Sequence, residues 1–168
     1  PEDRTGVGTA PGMALTGNMI MKSYDHAPIS QKWRISYTAA REFASNLKEK
    51  YNIQAPSLST QVNKLSGGNL QKVILAREIS CGPTLIVAVQ PTRGLDVGAI
   101  EGIQNLLLEQ REKDAAVLLI SEELDELLDL SDRIAVIFEG ELAGIFPTEE
   151  ADVKTIGLLM TGELRRQE

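Results

Sequence analysis

The residues best placed to do chemistry are a serine and a pair of glycines that precede an apolar helical stretch. The run from Leu65 to Lys72 reads LSGGNLQK, so Ser66, Gly67 and Gly68 stand where a loop opens a helix. Glycine lets the backbone come close to an anion because it has no Cβ, and the first N–H groups of a helix attract negative charge. This pattern predicts a phosphate-binding turn. It is equally typical of a serine N-cap with a tight turn, and the residues alone leave both interpretations open.

A second group of polar residues follows a short apolar strand. Val89 and Gln90 end that strand, and the loop Pro91-Thr92-Arg93-Gly94-Leu95-Asp96 comes directly after them. Asp96 stands in front of an expected helix, where its carboxylate would cap the first turn. Arg93 is either an exposed loop cation or an interface contact, and the sequence favours neither.

Alternating helices and near-continuous apolar strands must position these residues. After Leu65 the pattern is typical of a parallel sheet covered on both faces, which predicts an α/β fold. The expected helices cover residues 16–24, 30–51, 69–80, 97–112, 122–130 and 149–160, and the expected strands cover 85–89, 116–120 and 134–138, with a hairpin partner at 141–146.

Composition excludes several classes of protein. The 168 residues are 42% hydrophobic and 24% charged, which are ordinary values for a globular domain. Seventeen basic and twenty-four acidic side chains give a net charge of -7, which disfavours a general nucleic-acid or anionic-membrane binder. No apolar run reaches the length of a membrane span. The chain begins at Pro1 without a methionine, and we expect it to be part of a longer protein.

The single histidine and the single cysteine do not suggest a reactive centre. His26 lies in a polar turn before Pro28 with no cysteine or second histidine beside it, so we expect a surface residue and not a metal ligand or base. Cys81 has no partner for an internal disulfide, and its place between an apolar helix and an apolar strand predicts a small packing residue. We therefore expect no metal site in the chain.

Several motifs recur in an order that resembles the C-terminal half of an ATP-binding cassette (ABC) ATPase domain. They are the LSGG run at 65–68, the strand at 85–89, the PTRGLD run at 91–96, the strand that ends at Ser121 and the LSDRI segment at 130–134. The resemblance extends from Asn63 to Gly144. The residues Asn69, Gln71 and Arg93, with the opening PEDR, resemble the second ATPase half of importers for simple sugars and nucleosides.

The resemblance implies a partial P-loop-NTPase-like fold with a mostly parallel sheet and a helical subdomain. It divides the chain into that subdomain with an opening loop, residues 1–62, and the signature with the C-terminal part of the ATPase core, residues 63–168. The chain has no G-x-x-x-x-G-K-[ST] sequence of its own, so the P-loop region is absent.

In this family two ATPase domains close head to tail around ATP, which implies a role in trans for two segments of the chain. The terminal phosphate of an ATP held by the partner's P-loop would be bound by Ser66, Gly67, Gly68, Asn69 and Gln71. The interface would be followed by Arg93, Gly94, Leu95 and Asp96. ATP and Mg²⁺ are thus expected in the full assembly and not in this chain alone.

Three positions depart from the family pattern and predict a degenerate catalytic site. Val89 replaces the usual aspartate that holds the Mg²⁺ shell, and valine offers no oxygen. Gln90 replaces the glutamate that polarises the attacking water, and the loss of a general base costs roughly 10²–10⁴ in rate. Glu122 replaces the switch histidine and would repel a triphosphate. We expect an ATPase as part of the parent transporter and an inactive isolated chain.

The resemblance further implies an ATP-binding subunit at the cytoplasmic face of the cell membrane. The expected partners are the other ATPase half, in the same or a second polypeptide, the transmembrane permease subunits and, indirectly, a solute-binding protein, with no nucleic acid. Trp33 and the nearby Met19, Ile20 and Met21 would either meet the membrane-spanning subunit or pack in the core. Two alternatives stay open: a non-transport ABC-type ATPase, and a regulatory or docking module without nucleotide contact.

Overall fold

The computed structural model describes residues 3–31 and 33–164, and they form an α/β arrangement with small parallel and antiparallel sheets. The helices are α1 (Leu15–Met19), α2 (Tyr37–Lys50), α3 (Gly67–Ile79), α4 (Val97–Arg111), α5 (Leu124–Leu130) and α6 (Val153–Met160). The strands are β1 (Ser30–Gln31), β2 (Arg34–Ile35), β3 (Leu85–Val89), β4 (Ala116–Ile120), β5 (Arg133–Phe138) and β6 (Glu141–Pro147). Short 3₁₀ turns cover Val62–Lys64 and Thr148–Glu150. The predicted α/β fold class is confirmed.

The chain divides into two compact units, Pro1–Leu118 and Leu119–Glu168. In the first unit, α3 packs against α1, α2 and α4. Its core is apolar, and the fully buried side chains include Leu15, Met19, Val62, Val73 and Ile103. Because α3 carries buried residues along almost its whole length, it is the central helix of this unit. The predicted division at residues 62 and 63 is a different kind of boundary and stays a prediction.

An opening loop, residues 3–9, is held together by its own hydrogen bonds. Asp3 Oδ1 accepts from the N–H groups of Thr5 (3.0 Å) and Gly6 (2.8 Å). The Thr9 hydroxyl contacts the main-chain oxygens of Arg4 and Thr5, both at 3.1 Å. These bonds make the loop a compact turn, since each satisfies a backbone group that would otherwise need water.

Arg77 of α3 fastens the opening loop to the helical core. The residue is only 7% exposed, and Nη2 donates to the main-chain oxygen of Gly8 over 2.9 Å. Glu78 compensates the charge, with Arg77 Nε at 3.0 Å from Glu78 Oε1, and Lys22 forms an ion pair with the same carboxylate. A buried guanidinium requires such partners, because an unpaired buried charge is strongly destabilising.

β3 and β4 are hydrogen-bonded neighbours that are connected through α4, and the N–H of Ala116 donates to the oxygen of Thr84 over 2.9 Å. Along β3 the burial alternates. Ile86 and Ala88 are buried, whereas Leu85 and Val87 on the other face are more than half exposed. The predicted bounds of both strands are confirmed.

In the second unit, β5 and β6 form an antiparallel hairpin through Glu139 and Gly140, with an irregularity between Val136 and Ile137. One face of the hairpin packs against α6, and the shared core consists of Ile134, Val136, Ile156 and Leu159. Gly140 has φ +83, so the predicted turn glycine adopts the left-handed conformation that glycine favours.

Three expected elements differ in the structure. Residues 30–51 are not one helix: β1 and β2 form a short hairpin, and α2 begins at Tyr37 because Ser36 Oγ accepts from the N–H of Ala39 and caps it. The first helix ends at Met19, and the last begins at Val153 after the 3₁₀ turn. A strong local cap therefore sets the helix start more than apolar periodicity does.

The structure also shows whether the single histidine, the single cysteine and the apolar residues near α1 are buried or exposed. His26 is exposed, as predicted, but Cys81 is exposed too, so its expected packing role is wrong. It follows the end of α3, outside the buried surface of the helix. Met19 is fully buried and belongs to the core, whereas Trp33 is 99% exposed. In the described part of the chain, no helix has the length and apolar character to cross a membrane.

Candidate functional site

The hydroxyl of Ser66 caps α3 and still has a proton to donate. Ser66 Oγ accepts from the N–H of Asn69 at 3.4 Å and from Asn69 Nδ2 at 2.9 Å. A serine hydroxyl carries one donor besides its acceptor lone pairs, so both bonds use the oxygen only as an acceptor. Ser66 is exposed. The N-cap interpretation is thus confirmed, and within residues 3–31 and 33–164 no bond uses the hydroxyl proton, so it can be donated to an external acceptor.

Of the two other polar residues assigned to the site, one is hydrogen-bonded within the protein and the other is buried. Asn69 Oδ1 accepts from the N–H of Gln54 at 2.7 Å, while its Nδ2 contacts Ser66. Gln71 is only 5% exposed, and its Oε1 is buried without a hydrogen-bond partner among the described residues. Asn69 therefore orients the Ser66 side chain through the hydrogen bond from Nδ2 to Oγ. The assignment of Asn69 and Gln71 to nucleotide binding stays a prediction.

Gly67 and Gly68 have different surroundings despite their adjacency. Gly67 is exposed, and a Cβ built on it would lie 3.4 Å from Leu95 Cδ2, an ordinary contact. Gly68 is buried, and its Cβ would come within 2.7 Å of Ala99 Cβ on α4. Gly67 leaves the N-terminal surface of α3 open, whereas Gly68 allows α4 to pack closely.

The 91–96 loop lies beside the start of α3. Gly94 has φ +67, and the N–H of Leu95 donates to the Thr92 oxygen over 3.1 Å, which closes the turn. Asp96 Oδ1 accepts from the N–H of Ala99 at 3.0 Å, so its predicted cap of α4 is confirmed. Arg93 is exposed. The predicted interface role of residues 93–96 stays a prediction.

Arg4, the last residue of the opening PEDR run, belongs to this site, although the sequence predicts no role for it there. Its Nη2 donates a hydrogen bond to the main-chain oxygen of Arg93, and its Nη1 lies 4.0 Å from the Cβ position of Gly67. Burial lowers the pKa of the Arg4 guanidinium, because removal from water disfavours the charged form. The opening loop thus places a cation between the 91–96 loop and the start of α3.

The start of α3 fits an anion such as a phosphate of ATP. An exposed hydroxyl, an exposed glycine and the positive end of a 13-residue helix come together there. In the first turn, N–H groups have no carbonyl four residues earlier within the helix and can turn to a ligand. When bound, ATP would supply the phosphoanhydride bond, and these residues would hold its terminal phosphate.

The end of β3 does not fit Mg²⁺. Val89 has no oxygen on its side chain, and Gln90, with φ +48, offers only a neutral amide. In the described part of the chain, no cluster of three or more His, Cys, Asp or Glu side chains could hold a metal ion. In the second unit, Glu122 is exposed and precedes α5, and the N–H of Glu123 donates to Ser121 Oγ over 3.1 Å.

Solved structures with the same fold are cassettes of ABC transporters. A dimeric post-hydrolysis structure of the ATP-binding cassette MJ0796 with ADP and Pi matches 83% of this chain and 59% of its own, with TM-score 0.67 and 23% identity. A putative metal-chelate type ABC transporter in an inward-facing conformation matches 90% of this chain and 59% of its own, with TM-score 0.73 and 14% identity. These matches show that the chain has the fold of an ABC ATPase core.

Among proteins of known role, the chain is similar to several import ATP-binding proteins. It is 46% identical over 164 residues to the glucose import ATP-binding protein TsgD13 of Haloferax volcanii, which covers 96% of the chain and 30% of that protein. It is 41% identical over 167 residues to the guanosine import ATP-binding protein NupO of Bacillus subtilis, which covers 99% and 33%. The chain thus spans about a third of the length of these relatives. No protein-family model matches it.

Proposed function

We propose that the chain supplies the signature of an import ATPase for a simple sugar or nucleoside. Ser66, Gly67 and the start of α3 would bind the terminal phosphate of ATP held by a partner's P-loop, and closure on that ATP would drive transport. The observation that carries this proposal is the exposed junction itself, where the Ser66 hydroxyl proton and the positive helix end meet. The names of the relatives support import of a sugar or nucleoside.

The chain's own hydrolytic site would be degenerate, because its usual catalytic residues are replaced. Neither Val89 nor Gln90 supplies a carboxylate at the end of β3, and Glu122 stands in place of a switch histidine. A glutamine can orient a water but cannot take its proton. The P-loop and the base would therefore come from the other ATPase half, in the same or a second polypeptide, and the isolated chain would be inactive.

Transport would require membrane subunits at the cytoplasmic face, and the β1–β2 hairpin is a candidate contact for them. Trp33 is 99% exposed and Tyr37 is 79% exposed, and Ile35 between them is 40% exposed. Exposed aromatic side chains are enriched at protein interfaces. In this proposal residues 1–62 form the helical subdomain that meets the permease, residues 63–168 belong to the ATPase core, and a solute-binding protein acts only indirectly.

The test is a pair of substitutions that keep the helix cap of Ser66 and differ in charge. In the full-length ATPase that contains this segment, Ser66→Asp keeps an N-cap and suits the helix dipole, so the fold should be retained. The carboxylate repels the terminal phosphate, so the ATP concentration for half-maximal association should rise at least about tenfold. Ser66→Asn is the neutral control: it also keeps an N-cap, and it should need less ATP for half-maximal association than Ser66→Asp.

The readout is ATP-dependent association of the two ATPase halves together with hydrolysis. A loss of both in Ser66→Asp with an unchanged thermal midpoint supports the proposal. If Ser66→Asp associates and hydrolyses like Ser66→Asn, the junction does not meet a triphosphate, and a docking module without nucleotide contact becomes the better description.

A further inference from the structure

The guanidinium of Arg4 connects two parts of the candidate site that are far apart in sequence. The hydrogen bond from Arg4 Nη2 ends on the oxygen of Arg93, 89 residues away. On its other side, Nη1 borders Gly67, the first residue of α3, which also has Leu95 Cδ2 next to it. A single side chain therefore contacts the 91–96 loop and borders the phosphate-facing junction.

The opening loop gives this contact a fixed base. The internal bonds of Asp3 and Thr9 shape the loop, and the buried bond from Arg77 to the Gly8 oxygen ties it to α3. The backbone at Arg4 is thus held relative to α3. Any group that Arg4 binds is held relative to α3 as well.

A hydrogen bond from outside the 91–96 loop can fix the conformation of its turn. Gly94 follows the accepting carbonyl of Arg93 directly and has φ +67, and glycine populates several backbone regions at little cost. A charged donor partly withdrawn from water forms a stronger hydrogen bond than a neutral one. The bond from Arg4 can therefore select one conformation of this turn.

We propose that Arg4 is a positioning residue that sets the 91–96 loop at a fixed distance from Ser66 and Gly67. The two segments then meet the partner's nucleotide as one preformed surface. This inference rests on the function proposed above. It assigns Arg4 to the alignment of the site and not to contact with the nucleotide.

The first test measures the loop directly, by hydrogen exchange of the amides of residues 92–96 in the nucleotide-free, full-length ATPase. Arg4→Gln should speed exchange of these amides about tenfold, since the charged donor is lost. Arg4→Lys keeps a charged donor and should be intermediate. Arg41→Gln, the same chemical change at an exposed position of α2, should leave the loop unchanged.

The second test is steady-state hydrolysis by the same variants with their membrane partners. Arg4→Gln should lower kcat about tenfold and change the KM for ATP by less than about twofold, because alignment matters in the transition state and not for uniform binding. Arg4→Lys should recover part of the lost kcat.

The outcomes separate this inference from the function on which it rests. Unchanged exchange at residues 92–96 in Arg4→Gln overturns it, and so does faster exchange with normal kcat. A raised KM at normal kcat would assign Arg4 to nucleotide binding and would also overturn it. Failure of the Ser66→Asp test would remove the proposed function, while the exchange experiment would still decide whether Arg4 holds the loop.

Discussion

At the scale of single residues, the two glycines that begin α3 show how one motif can serve two physical needs. Gly67 keeps the helix start open to solvent, whereas Gly68 is buried against Ala99 of α4. Both residues could be replaced by alanine without a forbidden φ, since neither lies in the left-handed region. Their different neighbours therefore predict different costs.

Gly68→Ala should destabilise the protein by about 1–3 kcal/mol, because the added methyl would overlap Ala99 and force α3 and α4 apart. Gly67→Ala is the matched control, and it should change stability by less than about 1 kcal/mol. Urea unfolding followed by circular dichroism gives both values. Equal stability of the two variants would show that α4 does not pack on Gly68.

The sequence predicts the two helix caps of the candidate site but not the contact that joins its parts. The caps at Ser66 and Asp96 were readable, because each needs only residues within one helical turn. The bond between Arg4 and Arg93 was not, since no local pattern connects residues so far apart. The burial of Gln71 likewise depends on how α3 packs, which helical spacing alone does not specify.

At the scale of elements, α6 begins where an aspartate caps it. Asp152 Oδ2 accepts from the Thr155 hydroxyl at 2.7 Å and from the Thr155 N–H at 2.9 Å. The hydroxyl bond, followed by the backbone bond, lowers the pKa of Asp152 below its usual value of 3.8. The ionised form is thus favoured in the folded state.

This lowered pKa predicts a loss of stability in acid. The contribution of Asp152 is fully present above pH 3.8 and disappears as the pH falls through the lower pKa of the folded state. Asp152→Asn keeps a neutral cap. As the pH is lowered from 5 to below the pKa of the folded state, the urea midpoint of this variant should therefore fall less than that of the unchanged chain. Parallel pH profiles for the two proteins would contradict this role.

Elements were predicted best where apolar runs are short and bounded. The bounds of β3 and β4 agree with the expected ones, because each strand is a short, continuous apolar run in the sequence. The expected helix over residues 30–51 failed at its first third. There Ser36 caps a later start, and the preceding residues pair as β1 and β2.

At the scale of the whole molecule, the first unit exposes an apolar sheet face. Leu85 is 58% exposed, Val87 54% and Leu118 53%, while the alternate residues of β3 are buried. Large exposed apolar patches are sites of association. Under the proposed function this face would be covered by other parts of the full ATPase.

The isolated chain should therefore self-associate through this face. Replacement of Val87 and Leu118 by lysine should raise the monomer fraction in sedimentation velocity at a fixed concentration, because charge opposes burial of the patch. Val97→Lys is the control, since Val97 is 81% exposed but lies on α4. A monomeric unchanged chain, or an equal effect of Val97→Lys, would contradict the prediction.

The exposure of Trp33 determines what its fluorescence can report. Its indole is the chain's one tryptophan and is surrounded by solvent before any denaturant is added. Its emission should therefore hardly shift when the core unfolds, yet it should move to shorter wavelength when something covers the β1–β2 hairpin. Trp33 fluorescence should therefore report binding of a membrane subunit at the proposed contact and should not report unfolding of the core.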